Sequence, residues 1–183
     1  MDIYEAIENR RTIKKFESPA TEEQLRRIII AGTKAPSPGN RQSWEFIIVD
    51  DSALIEKISS VKYRLNRGKP LGQKVSPEQE GAAKIQKNSF VNSSLVLIYH
   101  SMGTAEVQGA WCCIQNMLLA AVAEGLGTKI AFYWGDAVSE INKLMHAPED
   151  MELAAAISIG VPAQEPGPKK FRPEGSWLHR NRF

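Results

Sequence analysis

The sequence predicts one globular domain that mixes α-helices and β-strands. Its 183 residues suit a single domain, and a content of 43% hydrophobic and 24% charged residues is ordinary for a folded protein. Segments with apolar residues at helical spacing alternate with short apolar runs typical of buried strands. This pattern is equally compatible with a parallel and an antiparallel sheet. It therefore predicts the helices and strands but not how the strands pair in the sheet.

The first half of the chain opens with two helices. Residues 2–10 place apolar side chains on one helical face behind Asp2 as the N-cap. Thr21 and Gln24 fit a capping box that begins the second helix. The elements that follow are a loop at 35–40, a strand at 44–49, a short helix at 52–60 that begins at Ser52, and another short helix at 80–88.

The second half centres on the longest helix, 105–124, which is apolar on most of its faces. Such a helix lies in a core or in an interface, and Gly125 and Gly127 are expected to stop it. The elements around it are strands at 95–99, 129–133 and 153–161, and a helix at 136–145 capped by Asp136.

Two segments do not fit a regular element. Residues 61–79 are polar and carry two glycines and two prolines, which indicates a mobile excursion or lid. Residues 163–183 follow Pro162 as a proline-rich C-terminal extension.

Several classes of function are disfavoured. A formal charge of +2 is too balanced for a general nucleic-acid binder. No apolar run approaches the ~20 residues of a membrane helix, and no signal peptide is expected. Cys112 and Cys113 are adjacent, which disfavours a structural disulfide and favours a reducing, cytoplasmic location. The three histidines lie far apart in the sequence, so we expect no catalytic metal.

Two basic clusters and a polar loop carry the functional signal. The clusters cover 10–16 and 169–172, and each is compatible either with a phosphate site or with a solvated surface. In the loop, Asn40 and Gln42 stand two residues apart as the chain straightens toward a strand, so their amides can point the same way. A polar turn ahead of a core tryptophan, Trp44, is the simpler alternative there.

Taken together, these segments resemble the FMN-dependent nitroreductase family over essentially the whole chain. The matching positions run in order: Arg10-Arg11-Thr12, Lys14 and Phe16; Pro36, Ser37, Asn40, Gln42, Trp44 and Phe46; 115–121 with 124–127; Ile159-Gly160 with Pro162; and Lys170 with Arg172. Two positions depart from the family pattern: Ser43 replaces a usual proline, and Trp134 stands where an acidic residue is frequent.

The resemblance implies an α+β fold with a mostly antiparallel central sheet wrapped by helices. It also implies an intertwined homodimer that holds FMN at the subunit interface, with the C-terminal extension embracing the partner. The apolar helix 105–124 would then contribute to the interface. The single domain would span 1–183.

The same resemblance assigns roles to individual residues. Arg10, Thr12, Lys170 and Arg172 are expected to hold the FMN phosphate and ribityl chain, with help from Arg11. Lys14 should approach the pyrimidine edge of the flavin and stabilise its reduced form. The remaining cofactor-binding positions are Pro36, Ser37, Asn40 and Gln42, in part from the second subunit, and Trp134 with Gly135 against the ring. Trp134 would wall the substrate pocket; the alternative is a buried structural aromatic.

The implied activity is electron transfer in two half-reactions, from NADH or NADPH to the flavin and then to a small oxidised acceptor such as a nitroaromatic or a quinone. The flavin carries the chemistry, so no catalytic side chain is expected. Three alternatives stay open: another FMN-dependent reaction such as dehydrogenation or dehalogenation, a non-catalytic flavin-binding protein, and a basic interaction module without flavin.

Overall fold

The computed structural model describes residues 1–69 and 72–183 as one arrangement of helices around a five-stranded sheet. In chain order the elements are α1 (Ile3–Asn9), β1 (Phe16–Pro19), α2 (Glu22–Gly32), a 3₁₀ turn (Pro38–Asn40), β2 (Trp44–Val49), α3 (Ser52–Arg67), α4 (Pro77–Asn88), β3 (Ser94–Ser101), α5 (Thr104–Ala123), β4 (Gly127–Ala131), α6 (Asp136–Met145), β5 (Met151–Pro162) and a second 3₁₀ turn (Glu174–Ser176).

The sheet is antiparallel, whereas the periodicity of the sequence left a parallel and an antiparallel sheet equally possible. β5 is the central strand and pairs with β1, β3 and β4, while β2 pairs with β3. The α+β class implied by the resemblance is therefore confirmed. Periodicity could not decide this point, because helices separate the strands in the sequence whichever way the strands run.

The two faces of the sheet bury separate cores. On one face, α2 and α5 cover a cluster that includes Ile28, Met117 and Ile157, all fully buried. On the other face, α3 and α6 cover a cluster that includes Ile58, Leu97 and Ile141. Both N-terminal caps follow the prediction, since Asp2 and Thr21 each form a capping box with the residue three positions later.

Helix α3 corrects the predicted boundary of the 61–79 excursion. It continues seven residues beyond 60 to Arg67 and closes on Gly68, which adopts φ 68°. Its last two turns look polar in sequence, yet all their residues are buried or half-buried, with Val61 2% and Lys62 4% exposed. A lysine can be buried in this way because its aliphatic stem packs against apolar neighbours. The helix begins at Ser52 as predicted, behind Asp51 as the N-cap, whose carboxylate accepts from two backbone amides.

The rest of that excursion is short. Helix α4 begins at Pro77 behind Ser76 as the N-cap, three residues before the predicted start, because proline is well tolerated in the first turn of a helix. The proposed lid thus reduces to the stretch between Gly68 and Ser76, of which residues 70 and 71 lie outside the described residues. Its role as a lid stays a prediction.

Three further details differ from expectation. Strand β1 was missed, because a four-residue segment that ends in Pro19 looks like a break. Gly127 does not stop α5: Gly125, at φ 74°, closes the helix, whereas Gly127 begins β4. The N-cap of α6 is Gly135, and Asp136 is the first helical residue.

Candidate flavin site

The basic segment that follows α1 lies along the start of β4. Thr12 forms a bridge with Thr128, and the amide of Ile13 donates to the Thr128 carbonyl at 2.9 Å. Gly127 permits this approach, because a Cβ built on it would lie 2.3 Å from Cγ1 of Ile13. The side chain of Ile13 is thus buried, while Lys14 is exposed beside it.

This segment forms one wall of a basic cavity of about 280 Å³. The opposite wall is the beginning of the C-terminal extension. The lining residues are Arg11, Thr12, Ile13, Lys14, Gln164, Pro166, Gly167, Pro168 and Lys169. The structure therefore brings together the two basic clusters that are more than 150 positions apart in the chain.

The cations predicted to hold the flavin have no carboxylate partner among the described residues. Within residues 1–69 and 72–183, Arg10, Lys14, Lys170 and Arg172 form no ion pair. Arg11 donates to the backbone carbonyls of Glu8 and Arg10 instead of to a carboxylate. A set of unpaired guanidinium, ammonium and hydroxyl donors matches the chemistry of a phosphate group.

The predicted polar loop forms a separate, internally bonded unit. The Ser37 hydroxyl accepts from the amide of Gln42 at 3.0 Å, and the Gln42 side chain donates to Oδ1 of Asn40 at 3.2 Å. Asn40 and Gln42 both adopt positive φ, at 55° and 50°. Arg41, between them, pairs with Glu106 of α5 at 2.7 Å and so ties the loop to that helix. Pro36 is exposed.

Trp134 and Gly135 lie in the turn between β4 and α6. Trp134 is 56% exposed, so the alternative of a buried structural aromatic is wrong. Gly135 adopts φ 58° at the start of α6. The ring of Trp134 lies 5.0 Å from Nζ of Lys62, which is itself buried on α3.

A single chain does not gather all the predicted residues into one cavity. Arg11, Thr12 and Lys14 line the basic cavity, whereas Arg10, Lys170 and Arg172 do not line it. Its lining also lacks the loop residues Pro36, Ser37, Asn40 and Gln42, and the pair Trp134 and Gly135.

Two further lysines near these segments were not singled out from the sequence. Lys62 on α3 and Lys129 on β4 are 4% and 3% exposed. Burial lowers the pKa of each to about 8, and the positive charges of Lys62 and Lys14 act in the same direction on Lys129. The sequence offers no signal for them, since a lysine within a strand or a helix normally marks the solvent-facing side.

None of the His, Cys, Asp and Glu side chains of the described residues gather in groups of three or more that could hold a metal ion. Among the helices within 1–69 and 72–183, none has both the length and the hydrophobicity that crossing a bilayer requires.

Known proteins resemble this chain along most of its length. The family model described as the nitroreductase family matches residues 7–161. A protein of Methanothermobacter thermautotrophicus named as an NADH dehydrogenase/NAD(P)H nitroreductase is 30% identical, over 98% of this chain and 88% of its own length. An iodotyrosine deiodinase of Thermotoga neapolitana is 27% identical over 94% of either chain.

Solved structures of flavoproteins share this fold. An FMN and NADPH-dependent nitroreductase from sphigopyxis sp. strain HMH superposes over 100% of both chains with a TM-score of 0.81 at 17% identity. An iodotyrosine deiodinase bound to FMN and 3-iodo-L-tyrosine gives 0.76 at 23% identity, again over 100% of both chains. On the match of the family model over 7–161, this chain belongs to the nitroreductase family.

Proposed function

We propose that this protein is an FMN-dependent oxidoreductase that passes electrons from NADH or NADPH to a small oxidised acceptor, such as a nitroaromatic or a quinone. The observation that carries the proposal is the basic cavity, in which Arg11, Thr12 and Lys14 face Lys169 without any carboxylate among the lining residues. Relatives named as NAD(P)H nitroreductases support the same reaction type.

The residues present fit FMN. The cations on both walls of the cavity suit an anionic group, and Nζ of Lys129 is buried without a hydrogen-bond partner among the described residues. We assign the phosphate and ribityl chain to Arg10, Arg11, Thr12, Lys170 and Arg172. When bound, the flavin supplies two-electron chemistry, accepting electrons from a nicotinamide and releasing them to the acceptor.

The other proposed side chains position the ring and shape the pocket above it. Lys14 provides a cation for the pyrimidine edge. The loop with Ser37, Asn40 and Gln42 contributes amide and hydroxyl groups, and its internal hydrogen bonds hold these groups in place before the cofactor binds. Trp134 and Gly135 bound the side from which an acceptor enters, and the exposed indole supplies an apolar wall.

We further propose that the active unit is a homodimer in the cytoplasm. No residue of the loop 36–42 lines the basic cavity of the same chain. In a homodimer, the loop of one subunit could complete the basic cavity of the other. Both cysteines are free thiols, with Cys112 exposed and Cys113 buried, in keeping with a reducing compartment.

The first test is the visible absorption spectrum of the purified protein, followed anaerobically after addition of NADH or NADPH. A flavin band that bleaches supports the proposal. A flavin band that persists with both donors would contradict the reductase activity, and protein that takes up no FMN would contradict the cofactor.

The phosphate assignment has its own test. The double variant Arg10→Ala/Arg172→Ala should be isolated largely without flavin, because two of the phosphate ligands are lost. The matched control is Lys15→Ala/Arg26→Ala, which removes the same charge from exposed positions. Equal flavin occupancy in the two double variants, measured from the ratio of visible to protein absorbance, would refute the assignment.

Reductive removal of halogen from an aromatic ring is the second candidate. The observation that favours it is the 27% identity to an iodotyrosine deiodinase over 94% of the chain. The reduced protein should be mixed with 3-iodo-L-tyrosine and, separately, with a nitroaromatic. Faster reoxidation of the flavin by the iodotyrosine, with release of iodide, would select this candidate.

A further inference from the structure

Lys62 and Lys129 are two buried cations without a counter-ion. They are 4% and 3% exposed, and neither forms an ion pair with any of the described residues. Within residues 1–69 and 72–183, Nζ of Lys129 has no hydrogen-bond partner, and Nζ of Lys62 donates to the Phe132 carbonyl at 2.5 Å. Unpaired buried ammonium groups are unfavourable, and they call for a role beyond packing.

The surroundings of the pair are aromatic instead of acidic. Nζ of Lys129 lies 5.5 Å from the ring centroid of Phe90, and Nζ of Lys62 lies 5.4 Å from that of Tyr133 and 5.0 Å from that of Trp134. Ring faces attract cations but do not neutralise them.

The other titratable groups nearby supply no negative charge. The hydroxyls of Tyr99 on β3 and Tyr133 beyond β4 are buried and have no hydrogen-bond partner in the described part of the chain. Burial raises the pKa of both, so they stay neutral at physiological pH. The remaining charged group that acts on Lys129 besides Lys62 is Lys14, which is also positive.

The pair lies between two segments that we assign to the flavin. Lys129 follows Thr128, whose backbone pairs with the segment holding Thr12 and Lys14. Lys62 contacts the ring of Trp134 at the other segment. A cofactor that reaches both segments therefore stands within the field of both buried charges.

We infer that Lys62 and Lys129 form a buried cationic pair that strengthens binding of the reduced, negatively charged form of FMN relative to the oxidised form. The inference rests on the proposed function. Transfer of a hydride, which is two electrons and one proton, from the nicotinamide to bound FMN would leave the reduced cofactor with one more negative charge than the oxidised form. A fixed positive charge in a poorly hydrated environment favours that change, because less solvent screens it.

The test measures the midpoint potential of bound FMN and the Kd of oxidised FMN in Lys129→Met and in Lys62→Met. Methionine keeps the length and the apolar stem while it removes the charge. We expect each variant to lose about tenfold in its preference for the reduced cofactor, a drop of ~30 mV for a two-electron couple. The Kd of oxidised FMN should stay within about threefold of wild type, since a neutral ring gains little from either charge.

Three comparisons decide the outcome. Lys57→Met, at an exposed position on the same helix as Lys62, should leave the potential unchanged, and Lys129→Arg should retain it because the charge is kept. A potential that is unchanged in both methionine variants, or that falls equally in Lys57→Met, overturns the inference while leaving the proposed function intact. Wild-type protein that binds no FMN overturns both.

A readout that needs no flavin accompanies the potentials. In apo protein with labelled lysines, the Nζ resonances of Lys62 and Lys129 should titrate near pH 8, well below an ordinary lysine. Titration of both groups above pH 10 would show that they are solvated and would overturn the inference.

Discussion

At the scale of single residues, burying the charged form of Lys62 and Lys129 lowers the stability of the folded protein. The folded-state pKa of Lys129 is about 8, against 10.5 for an ordinary lysine. Between these two values the unfolded chain binds more protons than the folded one, so stability rises as the pH increases through 8. Burial raises the pKa of Cys113 from 9.0 to about 12, which opposes this rise above about pH 9.

We therefore predict that Lys129→Met is more stable than wild-type apo protein at pH 7, and that its advantage shrinks by about 1 kcal/mol between pH 7 and pH 9. Urea unfolding at both pH values and one protein concentration measures this. Lys57→Met serves as the control and should follow the wild-type pH dependence. A Lys129→Met advantage that stays constant from pH 7 to pH 9 would contradict the buried charge.

Lys14 differs from the buried pair in being exposed. Its removal in Lys14→Ala should lower the midpoint potential of bound FMN more than it lowers flavin occupancy, because a cation at the pyrimidine edge acts mainly on the reduced form. Spectroelectrochemical titration checks this, with Lys15→Ala as the matched neighbour. Equal midpoint potentials in Lys14→Ala and Lys15→Ala would show that Lys14 does not tune the flavin.

At the scale of elements, the contact between the segment 10–14 and β4 depends on one glycine. A Cβ at Gly127 would lie 2.3 Å from Cγ1 and 3.0 Å from Cβ of Ile13, which is buried and β-branched and has little freedom to move. Gly127 is therefore required for close packing, and the segment that carries Thr12 and Lys14 would have to shift if a methyl group were added.

We expect Gly127→Ala to cost about 1–3 kcal/mol of stability, as overpacking does, and to weaken FMN binding at least about tenfold through displacement of the basic segment. The control is Gly81→Ala in α4, where a Cβ meets nothing within 4 Å. That change should stabilise the helix by about 0.5–1 kcal/mol with no change in FMN affinity. Equal affinities in the two variants would show that the segment tolerates the shift.

At the scale of the whole molecule, one chain leaves large apolar side chains uncovered. Helix α1 exposes Ile3, Tyr4 and Ile7 at 56%, 79% and 49%. A largely apolar cavity of about 440 Å³ lies beside it, between α1, α2 and α5. The C-terminal extension exposes further large side chains, namely Phe171, Trp177, Leu178 and Phe183. Exposed apolar surface of this kind is typical of protein interfaces and supports the proposed homodimer.

We predict that the double variant Ile3→Glu/Ile7→Glu shifts the protein from dimer to monomer and releases FMN, because charges would be buried in the interface and the shared site would lose one half. Light scattering after size exclusion, at several protein concentrations, reads the oligomeric state. Ile85→Glu, on α4 and 47% exposed, is the control. A wild-type monomer, or a double variant that stays dimeric, would contradict the proposed assembly.

Local signals in the sequence determined a large part of this structure. The capping boxes at Asp2 and Thr21, the strand Trp44–Val49 and the long apolar helix α5 all follow the prediction closely. Each depends on residues within a few positions of one another, and such short-range patterns are readable without the fold. The basic clusters were equally visible, although their roles toward FMN stay predictions.

Contacts between distant residues were decided only by the tertiary structure. The antiparallel order around β5, the pairing of Thr12 with Thr128 and the meeting of Lys14 with Lys169 at one cavity each join parts of the chain that periodicity treats separately. Lys62 and Lys129 could not be identified as buried from the sequence either. Lysine is normally a surface residue, whereas packing buries these two side chains. Burial depends on what the rest of the chain places over a residue, and no local pattern contains that information.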